Sequence, residues 1–199
     1  IFRDGNSGGM ASEAHQAKRV ARGRRALRSL IRDRRGATIL EFAAVAAPFI
    51  ALVLAILQTA LVFFSQQALE TSAERTARQL ITGAAQSGGM TPTAFKAAAC
   101  ANLPAFMKCA NLMIDVQNAS SFAAVNVSAP ALTYDSNGNV TNTWGFSPGG
   151  AGSIVVMRTM YRLPVVGAPL GFNLSNMAGS QRLLIATSVF KTEPYGSGS

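Results

Sequence analysis

The sequence predicts an α+β protein in which a long N-terminal transmembrane and stalk helix packs on a small antiparallel β-sheet domain. Three observations support this fold class. A membrane-length apolar run follows a basic segment, apolar residues continue at helical spacing beyond that run, and the second half of the chain contains several alternating apolar stretches. About 20 apolar residues span a bilayer as a helix, whereas alternation is typical of strands.

Positive charge is concentrated before the apolar run. Residues 1–35 contain ten Lys and Arg against three acidic residues, whereas residues 36–199 contain eight against six. Basic residues beside a membrane span stay on the cytoplasmic side. Contact with membrane lipid is therefore predicted for this segment, and no nucleic-acid partner is expected. The candidate topology determinants are Arg28, Arg32, Arg34 and Arg35.

Residues 1–36 are predicted to form a basic cytoplasmic leader. The part from Ser12 to Asp33 either forms an amphipathic helix on the anionic inner leaflet or stays solvated. The chain begins with Ile1 and its first methionine is Met10, which leaves the translation start open between the two.

The transmembrane helix is predicted over residues 37–64. No charged residue lies between Phe42 and Leu69. A cleaved secretory signal has a shorter apolar core, of about 7–15 residues, so a membrane span is the better interpretation. The polar residues Gln58 and Thr59 either bond to a partner helix or are tolerated near the outer boundary.

A periplasmic stalk helix is predicted over residues 65–88, because apolar residues recur at helical spacing until glycines end the pattern. The apolar stripe of such a stalk must pack on the following domain or on a neighbouring subunit. The stripe consists of Leu69, Ala73, Ala77, Leu80 and Ile81.

A periplasmic α+β domain is predicted over residues 89–195, followed by a flexible tail at 196–199. Thr91 and Pro92 predict the start of an Ala-rich helix with Phe95 facing inward. Strands are predicted at residues 112–117, 122–127, 154–163 and 182–192, and a small hairpin is predicted from 131–134 and 140–144.

The two cysteines, Cys100 and Cys109, lie on the predicted outer side of the membrane. An even count in an exported domain predicts one disulfide, and a pair of buried reduced thiols is the alternative. The only histidine, His15, lies in the basic leader. Neither a metal site nor a cofactor is therefore expected.

The exported domain shows no catalytic constellation. It has no histidine, and its acids beyond the stalk are Asp115, Asp135 and Glu193, scattered along the chain. A Ser-His-Asp triad cannot be built from these residues, so the chain is not expected to be an enzyme. Asp115 alternates with apolar neighbours and is predicted to lie on the solvated face of a strand.

A long loop offers an alternative to a purely structural role. Tyr134, Trp144 and Phe146 lie in a Ser-, Asn- and Gly-rich stretch. Exposed aromatic residues would support a contact surface, and buried ones would form a small loop core. The first case corresponds to an uncleaved, signal-anchored periplasmic binding module.

The sharpest pattern lies where the basic segment meets the apolar run. Gly36 has no Cβ, so a protease can approach its backbone closely. Glu41 follows five residues later, about 7.5 Å along a helix, and a carboxylate entering hydrocarbon costs about 2.5–3.5 kcal/mol. After cleavage behind Gly36, Glu41 could pair with the new amine of Ala37 in a neighbouring subunit. In an uncut anchor it would lie at the membrane interface instead.

This pattern resembles the prepilin-peptidase motif of type IV pilins, in which a glutamate stands at the fifth position after a glycine. Glu41 and Phe42 together are similar to the variant found in the Tad (tight adherence, Flp-type) pilus system. The block from Arg34 to Ala43, the single span and the closing residues 186–195 resemble the TadE-like family. Pro48 lies earlier in the span than the proline usual in major type IV pilins.

The resemblance implies a pilin-like fold and a structural role. TadE-like proteins are pseudopilins, so the resemblance implies cleavage after Gly36 by a prepilin peptidase, with Gly36, Ala37, Glu41 and Phe42 as the processing motif. It implies a minor component of pilus assembly in the bacterial inner membrane, with its C-terminal domain in the periplasm. The implied partners are the prepilin peptidase, other pilins or pseudopilins, inner-membrane assembly proteins and membrane lipid.

Overall fold

The computed structural model describes residues 34–166 and 171–195, with side chains described from Thr38 onward. The predicted basic helix and the predicted tail lie outside the described residues. The chain forms two compact units, Ile1–Leu52 and Val53–Ser199. The elements are α1 (Arg34–Ile81), α2 (Ala84–Ser87), α3 (Pro92–Ala101), β1 (Leu112–Ala119), β2 (Ile154–Pro164) and β3 (Gln181–Lys191).

Helix α1 contains 48 residues and continues through Pro48. Its abundance of Ala and Leu favours helix. The helix ends at Ile81, and Gly83 then adopts a φ of 73°, a left-handed conformation that glycine reaches without a steric penalty. A Cβ at this position would overlap the ring of Tyr195. The predicted long helix is confirmed, whereas the stalk helix predicted to residue 88 ends at Ile81 and the short helix α2 follows Gly83.

The core of the second unit lies between the stalk part of α1 and the sheet. Leu69, Ala73, Ala77 and Leu80 are each at most 3% exposed, and they pack with apolar residues of all three strands. Full burial of such a larger side chain contributes about 1.5–3 kcal/mol. The strand residues in this core include Leu112, Val116, Val155, Met157, Tyr161 and Leu184.

The sheet is antiparallel with the strand order β1-β2-β3. Val116 pairs with Met157, and Met157 pairs with Ser188. Strands that follow one another along the chain are therefore neighbours in the sheet, as expected when loops rather than crossover helices connect them. The predicted small antiparallel sheet is confirmed.

Helix α3 begins where its capping residues predict. The Ala94 N–H donates to Thr91 Oγ1 at 3.2 Å, and Pro92 occupies the first turn, where its missing N–H is not needed. Phe95 and Ala99 are each 1% exposed. The inner face of α3 therefore packs against the core.

The predicted strand at residues 122–127 is wrong. Phe122–Ala124 form a 3-10 turn in which the Ala124 N–H donates to Ser121 Oγ at 3.2 Å. A serine that bonds to the backbone three residues ahead competes with extended structure. Phe122 is also 60% exposed, so burial does not stabilise a strand there.

The predicted hairpin in the long loop is reduced to one antiparallel bridge, between Tyr134 and Val140. The Asp135 carboxylate accepts hydrogen bonds from the N–H groups of Asn137 and Asn139, at 2.9 and 2.8 Å. Side-chain bonds of this kind stabilise a turn without requiring a ladder. The turn is therefore correct, whereas the strands predicted on either side are too long.

The predicted solvated position of Asp115 is also wrong. Asp115 is 4% exposed, and its Oδ2 accepts a hydrogen bond from Arg158 Nη1 at 2.9 Å. The Gly145 N–H donates to Oδ1 at 2.9 Å, and Arg158 Nη2 donates to the Asn126 carbonyl. The loop after β1 thus covers this face of the sheet. Alternation assigned Asp115 to the correct face, but that face is buried by a distant part of the chain.

Breaking this ion pair is expected to destabilise the domain. Asp115→Leu leaves the Arg158 charge buried without its partner, which costs about 3–5 kcal/mol of unfolding free energy. The double variant Asp115→Leu/Arg158→Met is expected to recover a large part of that loss, because no buried charge remains. Denaturant unfolding followed by circular dichroism measures both values.

The matched control is Glu74→Leu, because Glu74 is exposed on the stalk. Such a surface change is expected to stay within about 0.5 kcal/mol of the wild type. A double variant as unstable as Asp115→Leu would show that the uncompensated charge is not the cause of the loss.

Candidate membrane-anchor and assembly site

Gly36, the glycine of the predicted processing motif, lies inside α1. The helix includes Arg34 to Ala37, so the peptide bond after Gly36 lies within helical backbone. Sequence reasoning instead predicted a helix start near Ala37. Arg34 and Arg35 are helical in backbone, and the other two topology arginines lie outside the described residues.

Glu41 and Phe42 are both exposed on α1. Phe42 exposes 73% of its surface. Among the residues whose side chains are described, the Glu41 carboxylate has no ion-pair partner. Water or a second charged group must compensate a carboxylate at a membrane boundary.

The first part of α1 combines apolar sequence with exposed side chains. It is long and apolar enough to cross a membrane, and 6% of its most apolar window is buried. A core helix of a water-soluble protein would bury such a window, whereas a span presents it to lipid. The most exposed of these side chains include Ile39, Leu40, Val45 and Phe63.

The polar residues of the apolar run have partners in their own chain. Gln58 Nε2 donates to the Val166 carbonyl, and Thr59 Oγ1 donates to the Ala55 carbonyl at 2.8 Å. A threonine bonded to the carbonyl four residues earlier is a satisfied polar group within a helix. The amide N–H of Gln58 and the hydroxyl of Thr59 therefore have acceptors without a partner helix.

The predicted disulfide between Cys100 and Cys109 is present, with 5.3 Å between the Cα atoms. It joins the last turn of α3 to the short turn that precedes β1. Inside the closed loop, the Lys108 N–H donates to Tyr161 Oη at 2.8 Å, and Met107 is 5% exposed. The bridge therefore holds α3 and the disulfide loop against the sheet.

The three aromatic residues of the long loop do not form one surface. The ring of Phe146 lies 5.1 Å from that of Phe95, and its backbone bridges to Val116 at the edge of β1. Trp144 is half-buried, and Tyr134 is 41% exposed. Phe146 thus packs against the core, whereas Tyr134 is exposed in the loop.

The acidic residues of the domain are separated in space as well as in sequence. Asp115 is held in its ion pair, and Asp135 lies in an exposed turn. Hydrogen bonds from Asn139, above all from its side-chain amide, lower the pKa of Asp135 below its ordinary value, because they stabilise the carboxylate. Among the described residues, no three His, Cys, Asp or Glu side chains are grouped as metal ligands.

Sequence reasoning missed an aromatic contact at the start of the stalk. Phe64 of α1 stacks on Phe106 of the disulfide loop, with ring centroids 5.6 Å apart. Both rings remain substantially exposed. A lone aromatic residue in a short Cys-to-Cys loop was the available signal, since such a loop is too small to bury it.

These features define a class of protein, an α+β domain carried by one long helix whose first part is apolar and exposed. A family model described as TadE-like protein matches residues 36–78. The resemblance to the TadE-like family is thereby confirmed over the segment that contains Gly36, Glu41 and most of α1. Comparison with curated proteins and with solved structures gives no match.

Removing the disulfide is expected to weaken the second unit without detaching the chain from the membrane. Cys100→Ser combined with Cys109→Ser opens a loop of nine-residue separation, which costs about 2–3 kcal/mol by loop entropy. Unfolding of the detergent-solubilised full chain, followed by circular dichroism, measures this loss.

The control is Ala105→Ser, an exposed position in the same loop. It adds a hydroxyl but keeps the bridge, so its unfolding free energy is expected to match the wild type. An unchanged free energy in the double cysteine variant would contradict a stabilising role for the bridge.

Proposed function

We propose that this protein is a minor pilin or pseudopilin that acts in the assembly of a Tad-type pilus. The single observation that carries the proposal is the TadE-like match over residues 36–78, which includes both the motif and the exposed apolar helix. A structural subunit needs an anchor and a rigid domain, and α1 provides part of each.

The proposed location is the bacterial inner membrane, with the N-terminus in the cytoplasm and the sheet domain in the periplasm. The charge distribution supports this orientation, since residues 1–35 carry a net charge of +7 and basic residues beside a span favour the inner side. The disulfide supports a periplasmic domain, because such bridges persist in oxidising compartments.

The proposed processing step is cleavage after Gly36 by a prepilin peptidase. The enzyme would remove the basic leader and create a new amine at Ala37. Glu41 then lies four residues from that amine, about 6 Å along the helix. A staggered neighbouring subunit can bring its amine beside Glu41, so the proposed partners are other pilins or pseudopilins.

The proposal assigns no catalysis and no cofactor to the chain. Asp115 is committed to Arg158, and Asp135 is committed to its own turn. An acid–base mechanism needs groups that converge on a reacting atom, and the described acids do not converge.

A second candidate is the uncleaved periplasmic binding module. The exposed ring of Tyr134 favours it, although Phe146 is occupied in the core. Binding of the full chain to an envelope protein or glycan in cells that lack pilus components would favour this candidate over the first. Loss of that binding in Tyr134→Ala would place the contact in the long loop.

Cleavage after Gly36 is the first outcome to measure. In membranes that contain a prepilin peptidase, intact-mass spectrometry is expected to find a chain that begins at Ala37. Gly36→Val should abolish this product, since a branched side chain blocks close approach to the backbone. Gly150→Ala is the control, because a Cβ there meets open space, and it should be cleaved normally. Retention of the full leader on the wild-type chain would refute processing.

Glu41→Ala is expected to separate anchoring from assembly. The variant should be cleaved and remain in the membrane, because removing a carboxylate makes the apolar helix easier to insert. Pilus number, counted by electron microscopy, should fall about tenfold if the amine contact contributes about 1.4 kcal/mol to incorporation. Glu74→Ala, on the exposed face of the stalk, should leave piliation unchanged. Normal piliation in Glu41→Ala would remove the pairing role.

A further inference from the structure

The sheet of the second unit runs alongside α1, and three contacts fix its direction. The segment after β2 lies beside the apolar part of the helix, whereas the end of β3 lies beside the end of the helix. These contacts join Gln58 to Val166, Gln66 to Ile185 at 3.0 Å, and Ile81 to Glu193 at 2.8 Å. One end of the domain is therefore adjacent to the proposed span, and the other end is far from it.

The end adjacent to the proposed span carries four exposed apolar side chains, which we call the apolar rim. Phe63 and Phe64 lie on α1 and are 70% and 60% exposed. Phe106 in the disulfide loop is 47% exposed, and Val166 after β2 is 80% exposed. Three separate segments of the second unit thus present large apolar side chains toward the same end.

The rim is built into the domain. Phe106 stacks on Phe64, and the residues beside the rim are anchored in the core, since Met107 and Val165 are 5% and 7% exposed. The neighbours are buried while Phe106 and Val166 point outward. Exposure at these two positions is therefore set by the fold.

The bond from Gln58 places Val166 at membrane depth. About 20 residues cross the hydrocarbon core, and 20 residues counted from Ala43 end at Val62. Gln58 lies four residues before that end, about 6 Å deeper along the helix. A side-chain amide in this region needs a polar partner, and the Val166 carbonyl accepts its N–H.

From these contacts we infer that the second unit docks on the lipid surface through the apolar rim, and not only through its helix. This inference rests on the proposed membrane span. The occupant is lipid because the rim is continuous with the exposed apolar surface of α1, which the same span places in the bilayer. Lys108, exposed beside the disulfide, can then reach anionic headgroups, with which basic residues interact favourably.

Depth-dependent fluorescence quenching tests this docking on the full chain. Trp144 is the only tryptophan, so Trp144→Phe provides a background in which one new tryptophan reports its own position. The chains F106W and V166W probe the rim, F122W probes an exposed position past the end of β1 that is far from the span, and F49W probes the span. Each is reconstituted in phosphatidylcholine vesicles with brominated acyl chains.

The rim chains are expected to lose about half of their emission and to shift it to the blue, because boundary groups insert about 5–10 Å into the interface. F49W should be quenched at least as strongly. The emission of F122W should be the same as in vesicles without bromine. Circular dichroism and intact disulfides check that each chain is folded.

The other outcomes distinguish the docking of the rim on lipid from the proposed membrane span. Strong quenching of F49W with rim chains that behave like F122W overturns docking and leaves the span in place. An unquenched F49W overturns the proposed span, and docking with it. Rim chains that shift to the blue without quenching indicate burial against a second copy or another protein, which overturns lipid as the occupant.

Discussion

The packing of one helix stripe on the sheet determines the rest of the second unit. Leu69, Ala73, Ala77 and Leu80 bury almost all of their surface against the strands. The two alanines allow the helix to approach the sheet closely, while the two leucines fill the space at either end of the stripe. Without this contact, the three-stranded sheet would present one whole apolar face to water, and burial of apolar surface is the dominant favourable term in folding.

In the proposed topology, helix α1 faces lipid along its first part and protein along its second. Before Phe64 most of its large apolar side chains are exposed, and after Ser65 an apolar stripe is buried against protein. The sequence changes accordingly, because a span requires apolar residues on all sides whereas a stalk requires them on one side. The first charged residue after Glu41 is Glu70, within a few residues of the point where this change occurs.

Local patterns predicted the parts of the fold whose stabilising partners lie nearby. The stripe from Leu69 to Leu80, the cap at Thr91 and the pairing of Cys100 with Cys109 follow from spacing, turn chemistry and cysteine count. Asp115 could not be placed in the same way, because its burial depends on Arg158 and Gly145, far along the chain. An alternating pattern describes one segment of the sequence. Which face of the sheet a distant loop covers depends on the complete fold.

The same limit applies to the candidate site. Gly36 and Glu41 were visible because a short motif stands between arginines and an apolar run. The apolar rim was not visible, since Phe106 and Val166 acquire meaning only when the fold brings them beside α1. Their neighbours Met107 and Val165 look equally apolar in the sequence, and only packing distinguishes the buried residue of each pair from the exposed one.

Charge provides the last link between the anchor and the proposed assembly role. The leader carries a net charge of +7, which favours the inner side of the membrane in the proposed orientation. If the leader is removed, Glu41 is the only charged side chain from Ala37 to Leu69, and the new amine carries the opposite charge. The proposed cut would therefore remove most of the basic charge and would create an amine that can pair with Glu41. A subunit whose inner helix end is neutral overall, and whose Glu41 is paired in the fibre, can leave the bilayer at a lower electrostatic cost than its precursor.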